Sequence, residues 1–256
     1  LGDYWTLTKS PQTGLLLVTG LAGYSSARCP VVTWQTLLGL AGSLFLAISG
    51  STVLNMVYDR DIDAIMKRTC WRPLPVGSVS VREALALGAS MVVLGMIWAM
   101  LMSPLFAVVV AAGVFFDLVV YTLWLKRRSP HSIILGGLAG AMPVLAGRVL
   151  ATGRIDGVGL LLALSVLLWI PTHIMTFSIR YAEDYAQAGV PTFPSVYGVP
   201  VTRLLMSLSS VGAAVSIMAA AILIGMSWGY LRFLAFLGVA LLALAAANVL
   251  HPSARL

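Results

Sequence analysis

The sequence predicts an all-α fold, a polytopic membrane bundle of eight helices that forms a single domain over residues 1–256. Of its 256 residues, 59% are hydrophobic and only 10% are charged, and the mean hydropathy is +0.96. These values lie far outside the range of soluble globular domains and are typical of polytopic membrane proteins. Apolar stretches near the roughly 20 residues that span a bilayer occur at 12–27, 33–57, 82–102, 104–124, 132–151, 157–180, 201–225 and 230–250.

Short connections join most of the predicted helices. The first helix is short and glycine-rich, and its boundary with the second lies around Arg28 to Thr33. Pro104 and Gly153 mark two later turns, because proline and glycine interrupt helices. The longest polar insertions follow the second, fourth and sixth helices. Since successive spans run in opposite directions, these three insertions lie at the same end of the bundle.

The basic residues are concentrated at that same end. Of the 16 lysines and arginines, the opposite side holds only Arg28, Arg148, Arg154 and Arg232. The positive-inside rule then places both termini and the three polar insertions in the cytoplasm. We therefore predict a multi-pass protein of the cell membrane whose polar site faces the cytoplasm. The net charge of +7 follows this topology and does not indicate a nucleic-acid partner.

The insertion after the second helix contains the first candidate site, in the segment NMVYDRDIDAIMKRTCWRPLPVG. Asn55, Asp59 and Asp63 recur every four residues, a spacing that places them on one face of a helix. Convergent oxygen ligands suit Mg²⁺, which completes its coordination with water and substrate phosphates. This pattern indicates a diphosphate as the other ligand. The basic residues that follow could bind its remaining negative charge; they are Lys67, Arg68 and Arg72.

A second acidic segment follows the sixth helix, in the run RYAEDYAQAGVP. Tyr181, Glu183 and Asp184 come directly after the apolar stretch, and a buried carboxylate there needs a cation or a metal. The two acidic helix ends form an approximate internal repeat, so we expect them to face each other across one pocket. Lys126 and Arg127, which follow the fourth helix, supply positive charge between them.

Two simpler roles are also compatible with these charges. The first motif could be a solvated helix end, or the coupling-ion site of a transporter, since acidic residues at membrane depth also mark ion pathways. The basic run after the fourth helix could reflect orientation alone. The first motif continues into the KRT and RPLP segments at a fixed distance. A transporter has no need of these segments at that distance.

Three polar residues lie within or near the predicted spans. His173 is adjacent to Pro171, which opens a helix locally, so it could contact a ligand or simply a neighbouring helix. Arg148 is expected to be an interfacial residue that snorkels. Asp117 is expected to pair within the bundle. Either of the last two could instead contact a polar part of a substrate.

These motifs resemble the UbiA superfamily of intramembrane prenyltransferases. The first motif is similar to the NxxxDxxxD signature of that superfamily, and the resemblance covers nearly the whole chain. Further segments resemble the protohaem IX farnesyltransferase branch, also called haem O synthases; they are YWTLTK, YDRDIDAIMKRT, RPLPVG, YTLWLKRRSP, GGLAGAMPVLAG, IPTH and EDYAQAGVP.

The resemblance implies nine transmembrane helices around a central cavity, with a lateral opening for the isoprenoid tail. Eight helices fit this sequence, so we expect the ninth to lie beyond Leu256. The resemblance implies that Mg²⁺ and the diphosphate are held by two acidic motifs. The metal ligands and catalytic residues carry over to Asn55, Asp59 and Asp63 in the first motif, and to Asp184 with Tyr181 in the second.

The sequence departs from the superfamily pattern at three places. Tyr181 and Tyr185 occupy the usual DxxxD spacing of the second motif, and Asp184 lies one position away. The usual arginine after the amino-terminal lysine and proline is absent from LTKSPQ, and Arg148 replaces the usual tryptophan after MPVLAG. Because of these differences, the acceptor could be a molecule other than haem.

The expected reaction is a Mg²⁺-dependent transfer of a farnesyl or geranylgeranyl group from its diphosphate to a hydrophobic acceptor. The leading acceptor is a vinyl group of haem B, with His173 as a candidate contact. The alternatives are 4-hydroxybenzoate, a naphthoate or a glycerol-phosphate ether lipid. The leaving diphosphate is expected to contact a set of basic residues; they are Lys67, Arg68, Arg72, Lys126 and Arg127.

Overall fold

The structure, a computed structural model, describes residues 2–27, 30 and 32–250, and within these residues it is helical without a β-strand. The α-helices are α1 (Gly2–Leu7), α2 (Ser10–Ser25), α3 (Trp34–Tyr58), α4 (Arg60–Ile65), α5 (Pro73–Val76), α6 (Val81–Met102), α7 (Pro104–Phe115), α8 (Ser132–Thr152), α9 (Gly157–Arg180), α10 (Ala182–Gln187), α11 (Phe193–Ile224) and α12 (Trp228–Leu250). A π-helical segment continues α7 over Phe116–Leu125. Arg28, which was assigned to the opposite side of the membrane, lies outside the described residues.

Seven helices in the described part of the chain are long and apolar enough to cross a membrane; they are α3, α6, α7 with its π-helical segment, α8, α9, α11 and α12. The all-α membrane fold predicted from the sequence is therefore confirmed. The predicted count of eight is slightly too high by this measure, because α2 has only 16 residues. The predicted seventh span, 201–225, corresponds to the later part of α11, because the helical backbone is interrupted at Gly198 (φ 81°, ψ 160°). α11 starts earlier, at Phe193, where a capping box formed by Thr192 and Ser195 initiates the helix.

The long helices pack around a central core to which α2, α3, α7, α8 and α9 contribute. Its largest fully buried side chains include Phe106, Leu40 and Leu44. The short helices α4, α5 and α10 lie at one end of the bundle, which we call the motif end. α12 packs against α11 and leaves its apolar side chains exposed, as expected for a helix that faces lipid.

Glycines let α2 approach α8 at backbone distance. A Cβ atom at Gly147 would lie 1.9 Å from the carbonyl oxygen of Gly20, and one at Gly23 would lie 2.0 Å from that of Val144. Small residues at such crossings are how membrane helices pack closely. The glycine-rich composition of α2 thus explains how a short helix is held in the bundle.

Replacing Gly147 with alanine is expected to lower the free energy of unfolding by about 3 kcal/mol, because the added methyl group must push the α2 backbone away. Thermal unfolding in detergent measures the effect. Gly14→Ala is the control, since a Cβ at Gly14 meets nothing within 4 Å. Equal stability of the two variants would contradict the close α2–α8 contact.

Candidate functional site

The first motif lies where α3 changes direction into α4. Asp59 occupies the junction with φ −88° and ψ 5°, so the single continuous helix expected from the sequence is interrupted there. The helical bonding nevertheless persists, because the Asp59 amide donates to the carbonyl of Asn55 (2.9 Å) and the Asp63 amide to that of Asp59 (2.8 Å). All three residues are buried, with 8%, 1% and 5% of Asn55, Asp59 and Asp63 exposed.

Two basic residues hold the carboxylates of this motif. Lys126 forms an ion pair with Oδ2 of Asp59, and Arg72 donates to Oδ2 of Asp63 at 2.7 Å. The second oxygen of Asp59, Oδ1, is buried and has no hydrogen-bond partner in the described structure. A buried carboxylate oxygen without a partner is costly. It therefore identifies a position where a cation would be favourable.

The π-helical segment positions the partners of α3. The Thr122 hydroxyl donates to the Asp117 carbonyl five residues earlier, and the Lys126 amide donates to the carbonyl of Tyr121. This wider turn places Thr122 against Asn55, whose amide donates to the threonine hydroxyl at 2.7 Å. π-Helical turns are frequent at functional sites. Sequence analysis missed Thr122 because its role depends on this local widening.

Arg127 lies beside the first motif and contacts a different carboxylate. It donates two hydrogen bonds to Asp61, at 2.6 and 2.7 Å, and a third to the carbonyl of Tyr58. These hydrogen bonds hold the pKa of Asp61 below its usual value. The structure thus places Arg127 at the motif end, where the exposed carboxylate of Asp61 holds its guanidinium; no hydrogen bond joins it to Asp59 or Asp63 in the described structure.

The second motif has the same form as the first. α9 ends at Arg180, Tyr181 occupies the junction, and the six-residue α10 follows, as α4 follows α3. Tyr181 therefore corresponds to Asp59 in this repeat, and Tyr185 to Asp63. Asp184 is buried, and its carboxylate has no ion pair or hydrogen bond with the residues that the structure describes.

Arg68 joins the two motifs. Its guanidinium lies over the rings of Tyr181 and Tyr185, 5.8 and 5.4 Å from their centroids, and donates to the Tyr185 hydroxyl at 3.1 Å. Its Nε is buried without a partner in the described structure. Arg68 and the exposed Lys67 line a cleft of about 590 Å³ together with Tyr181 and Asp184. The basic segment that follows the first motif thus meets the second motif at this cleft, whereas Asn55, Asp59 and Asp63 do not line it.

His173 lies on an exposed stripe of aromatic rings along α9. It stacks on Trp169 with centroids 5.2 Å apart and meets Phe177 edge to face at 5.1 Å, and Phe177 in turn stacks on Tyr181. His173 is eight residues from Tyr181, or about 12 Å along the helix axis. The structure therefore connects it to the second motif through other rings and not by direct contact.

Lys9 is a cation of the site that sequence analysis did not select. It lies between α1 and α2 in the left-handed region (φ 44°) and is partly buried. Burial, and then the positive charges of Arg72 and Lys126, lower its pKa to about 8. The signal that could have identified it is a single lysine immediately before the first apolar run, on the basic side of the bundle.

Arg148 lies at the opposite end of the bundle. It donates to both carboxylate oxygens of Asp156 at 2.7 to 3.3 Å and to the carbonyl of Ser26 at 2.5 Å, and it is 8% exposed. The expectation that it snorkels to the interface is therefore wrong, because these acceptors satisfy its charge inside the protein. It ties α2, α8 and the start of α9 together.

The carboxylates do not converge on one point in this arrangement. Within the described residues, no three His, Cys, Asp or Glu side chains form a group that could hold a metal ion. The reason is that Asp59 and Asp63 are each paired with a basic residue, while Asp184 lies on α10 and lines the cleft with Tyr181. A Mg²⁺ ion needs only one or two carboxylates when phosphates complete its shell, so separate carboxylates still suit two metal positions.

Known proteins resemble this chain in sequence. The sequence matches the UbiA prenyltransferase family over residues 16–255. It is 48% identical to a protein of Archaeoglobus fulgidus named protoheme IX farnesyltransferase over 193 residues, which are 75% of this chain and 68% of the relative. A protein of the same name from Korarchaeum cryptofilum is 45% identical over 82% of this chain and 71% of its own length.

Solved structures share the fold. A digeranylgeranylglyceryl phosphate synthase superimposes with a TM-score of 0.82 at 21% identity, over 99% of this chain and 88% of that one. A UbiA homologue from Archaeoglobus fulgidus bound to DMAPP and Mg²⁺ superimposes with a TM-score of 0.78 at 17% identity, over 96% and 85% of the two chains. At these identities the likeness shows the common fold alone.

Proposed function

The chain belongs to the UbiA prenyltransferase family and is an intramembrane prenyltransferase, and we propose that it transfers a farnesyl or geranylgeranyl group to a vinyl group of protohaem IX. The observation that carries the prenyl-transfer step is the buried carboxylate of Asp59, whose Oδ2 is paired with Lys126 while its Oδ1 has no hydrogen-bond partner in the described structure. The haem acceptor is supported by the relatives at 45–48% identity that bear the name protoheme IX farnesyltransferase. Membership of the family sets aside an ion-coupled transporter.

We propose that Asn55, Asp59, Asp63 and Asp184 would hold Mg²⁺ together with the donor diphosphate. The donor set fits this ion, because it consists of oxygen ligands and includes a buried carboxylate oxygen without a partner on Asp59. The carboxylate of Asp184, which is also unpaired in the described structure, supports a second position. When bound, the ion would neutralise the negative charge that builds up on the leaving diphosphate.

The chain's own cations would carry out the rest of the diphosphate recognition. Lys126 and Arg72 lie on the two carboxylates of the first motif and can turn toward phosphate oxygens as substrate arrives. Arg68 and Lys67 line the cleft that contains Tyr181 and Asp184, and Arg127 adds positive charge from its position on Asp61. Preorganised positive charge lowers the barrier to departure of the diphosphate.

The aromatic stripe along α9 would guide the isoprenoid and the acceptor. The π-electron faces of Tyr181 and Phe177 can stabilise positive charge on an allylic carbon, and the apolar core next to them excludes water. His173, on the same stripe, is the proposed contact of the haem.

We propose that the protein lies in the cell membrane with its motif end toward the cytoplasm. The seven membrane-length helices and the family support a multi-pass protein. The cytoplasmic orientation rests on the concentration of lysine and arginine at the motif end. A cytoplasmic site would receive its charged donor without moving it across the bilayer.

Purified protein incubated with labelled farnesyl or geranylgeranyl diphosphate and Mg²⁺ is expected to prenylate haem B and release diphosphate. The panel of acceptors includes 4-hydroxybenzoate, a naphthoate and geranylgeranylglyceryl phosphate. Product from one of these acceptors, with none from haem, would overturn the haem assignment and leave prenyl transfer intact. Chromatography of the labelled products distinguishes the outcomes.

A further inference from the structure

Asp117 is a carboxylate that the proposed diphosphate site does not use. It is the only acidic residue in the seven membrane-length helices that lies away from a helix end. The hydroxyl of Ser51 donates to its Oδ2 at 2.5 Å, while Oδ1 makes no hydrogen bond with the residues that the structure describes. Asp117 is not fully buried. A carboxylate within an apolar bundle is expensive and is retained for a chemical role more often than for packing.

Asp117 lies directly below the first motif. α3 and the π-helical segment face each other in three levels, at which Asp59 contacts Lys126, Asn55 contacts Thr122, and Ser51 contacts Asp117. The first and third levels are eight residues of α3 apart, or about 12 Å. The charges that act on Asp117 include those of Lys9, Lys126 and Asp59. The carboxylate therefore belongs to the same electrostatic unit as the diphosphate site, on its inner side.

The proposed reaction releases a proton that needs an acceptor. The C1–O bond of the donor breaks and its electron pair leaves with the diphosphate. An electron pair of the acceptor then forms the new bond to C1 and leaves a cation on the acceptor. The acceptor cation becomes neutral in one of two ways. Either one of its C–H bonds gives up a proton, or a water molecule adds to the cation and the added water then loses a proton. In both cases one proton leaves for each prenyl group transferred.

We propose that Asp117 is the catalytic base that accepts this proton, with Ser51 as the positioning residue that fixes the orientation of its carboxylate. Oδ2 is held by the serine hydroxyl, so Oδ1 is the atom that takes the proton. The carboxylates of the first motif are not suited to this step, because they hold cations and would lose them on protonation. This inference rests on the proposed prenyl transfer and adds to it the route by which the proton leaves.

The test compares two products of one labelled donor, the prenylated acceptor and the prenyl alcohol formed by water. With Asp117→Asn, which keeps the hydrogen bond from Ser51, we expect diphosphate release within about threefold of the wild type. The ratio of prenylated acceptor to alcohol is expected to fall about 100-fold, in the range of a general base. Asp117→Glu should restore part of the ratio, and Ser51→Ala should lower it about tenfold.

The outcomes separate this inference from the proposed function. An unchanged ratio in Asp117→Asn would overturn the role of Asp117 and leave prenyl transfer standing. Loss of diphosphate release in both Asp117→Asn and Asp117→Glu, together with a lower unfolding temperature, would show that the residue is structural and would also overturn it. A wild type that forms neither diphosphate nor prenylated acceptor would overturn the proposed function, and this inference with it.

Discussion

Replacing Asp59 with asparagine is expected to slow diphosphate release from a prenyl diphosphate by about 1,000-fold. The change keeps the shape of the side chain and one oxygen that can accept from Lys126, but it removes the negative charge from the most buried position of the first motif. Loss of a single preorganised electrostatic contact at a reacting centre costs about 10²- to 10³-fold, and a ligand of the proposed ion lies at the upper end. Single-turnover release of labelled diphosphate with Mg²⁺ present measures the effect.

Glu83→Gln is the matched control for this prediction. Glu83 is an exposed acid at the same end of the bundle, and its role is to accept the Ser80 amide in the capping box of α6, which glutamine can also do. We expect its rate to stay within about twofold of the wild type. If Asp59→Asn and Glu83→Gln both release diphosphate at the normal rate, the carboxylates of the first motif do not hold the donor.

The first motif could be predicted from the sequence because its information is local. Spacing by four residues survives the change of direction at Asp59, since the backbone bonds from Asn55 through Asp63 continue across the junction. The partners of the motif could not be predicted in this way. Lys126 is 67 residues away, and it reaches Asp59 from the end of a π-helical segment in the fourth span. Nothing in the composition of residues 104–124 distinguishes that segment from an α-helix.

The second motif illustrates what spacing alone leaves undetermined. Tyr181 and Tyr185 take the positions that carboxylates would occupy, and they bind the guanidinium of Arg68 instead. Asp184 remains the carboxylate that is buried without a partner among the described residues, so it stays the proposed ligand of this half. Which of these side chains is available to bind a metal depends on the tertiary contact with the segment after α4. Sequence spacing does not predict that contact.

Two arginines have partners that the sequence does not reveal. Arg127 was expected to contact diphosphate, whereas it is held by Asp61 and the carbonyl of Tyr58. Arg148 was a candidate for a polar part of the substrate, whereas Asp156 and Ser26 satisfy it at the other end of the bundle. The partners of both arginines are set by how loops and helix ends meet. The sequence shows that such a side chain is positively charged, but it does not show which acceptor the side chain contacts.

Replacing Lys126 with methionine is expected to have two separate effects. Diphosphate release should fall by about 100-fold, because the side chain retains its length but loses its charge. The ligand-free protein should also lose about 3–5 kcal/mol of unfolding free energy, because Asp59, with 2% of its side chain exposed, is left as a buried charge without its partner. Burial alone would lower the pKa of Lys126, but Tyr121 and Asp59 raise it above its usual value, so both effects should persist through the neutral and mildly alkaline range.

The response to Mg²⁺ distinguishes two roles of the ion pair between Lys126 and Asp59. In the first, Mg²⁺ replaces the ammonium on Asp59; in the second, the ion pair is purely structural. If the ion takes the place of the ammonium on Asp59, added Mg²⁺ should raise the unfolding temperature of Lys126→Met more than that of the wild type, since a ligand that binds only the folded state stabilises it. Arg128→Met, two residues along on an exposed side chain, should respond to Mg²⁺ as the wild type does. An equal response of Lys126→Met and the wild type would mean that Mg²⁺ does not replace the ammonium on Oδ2 of Asp59, and the ion pair would then be structural.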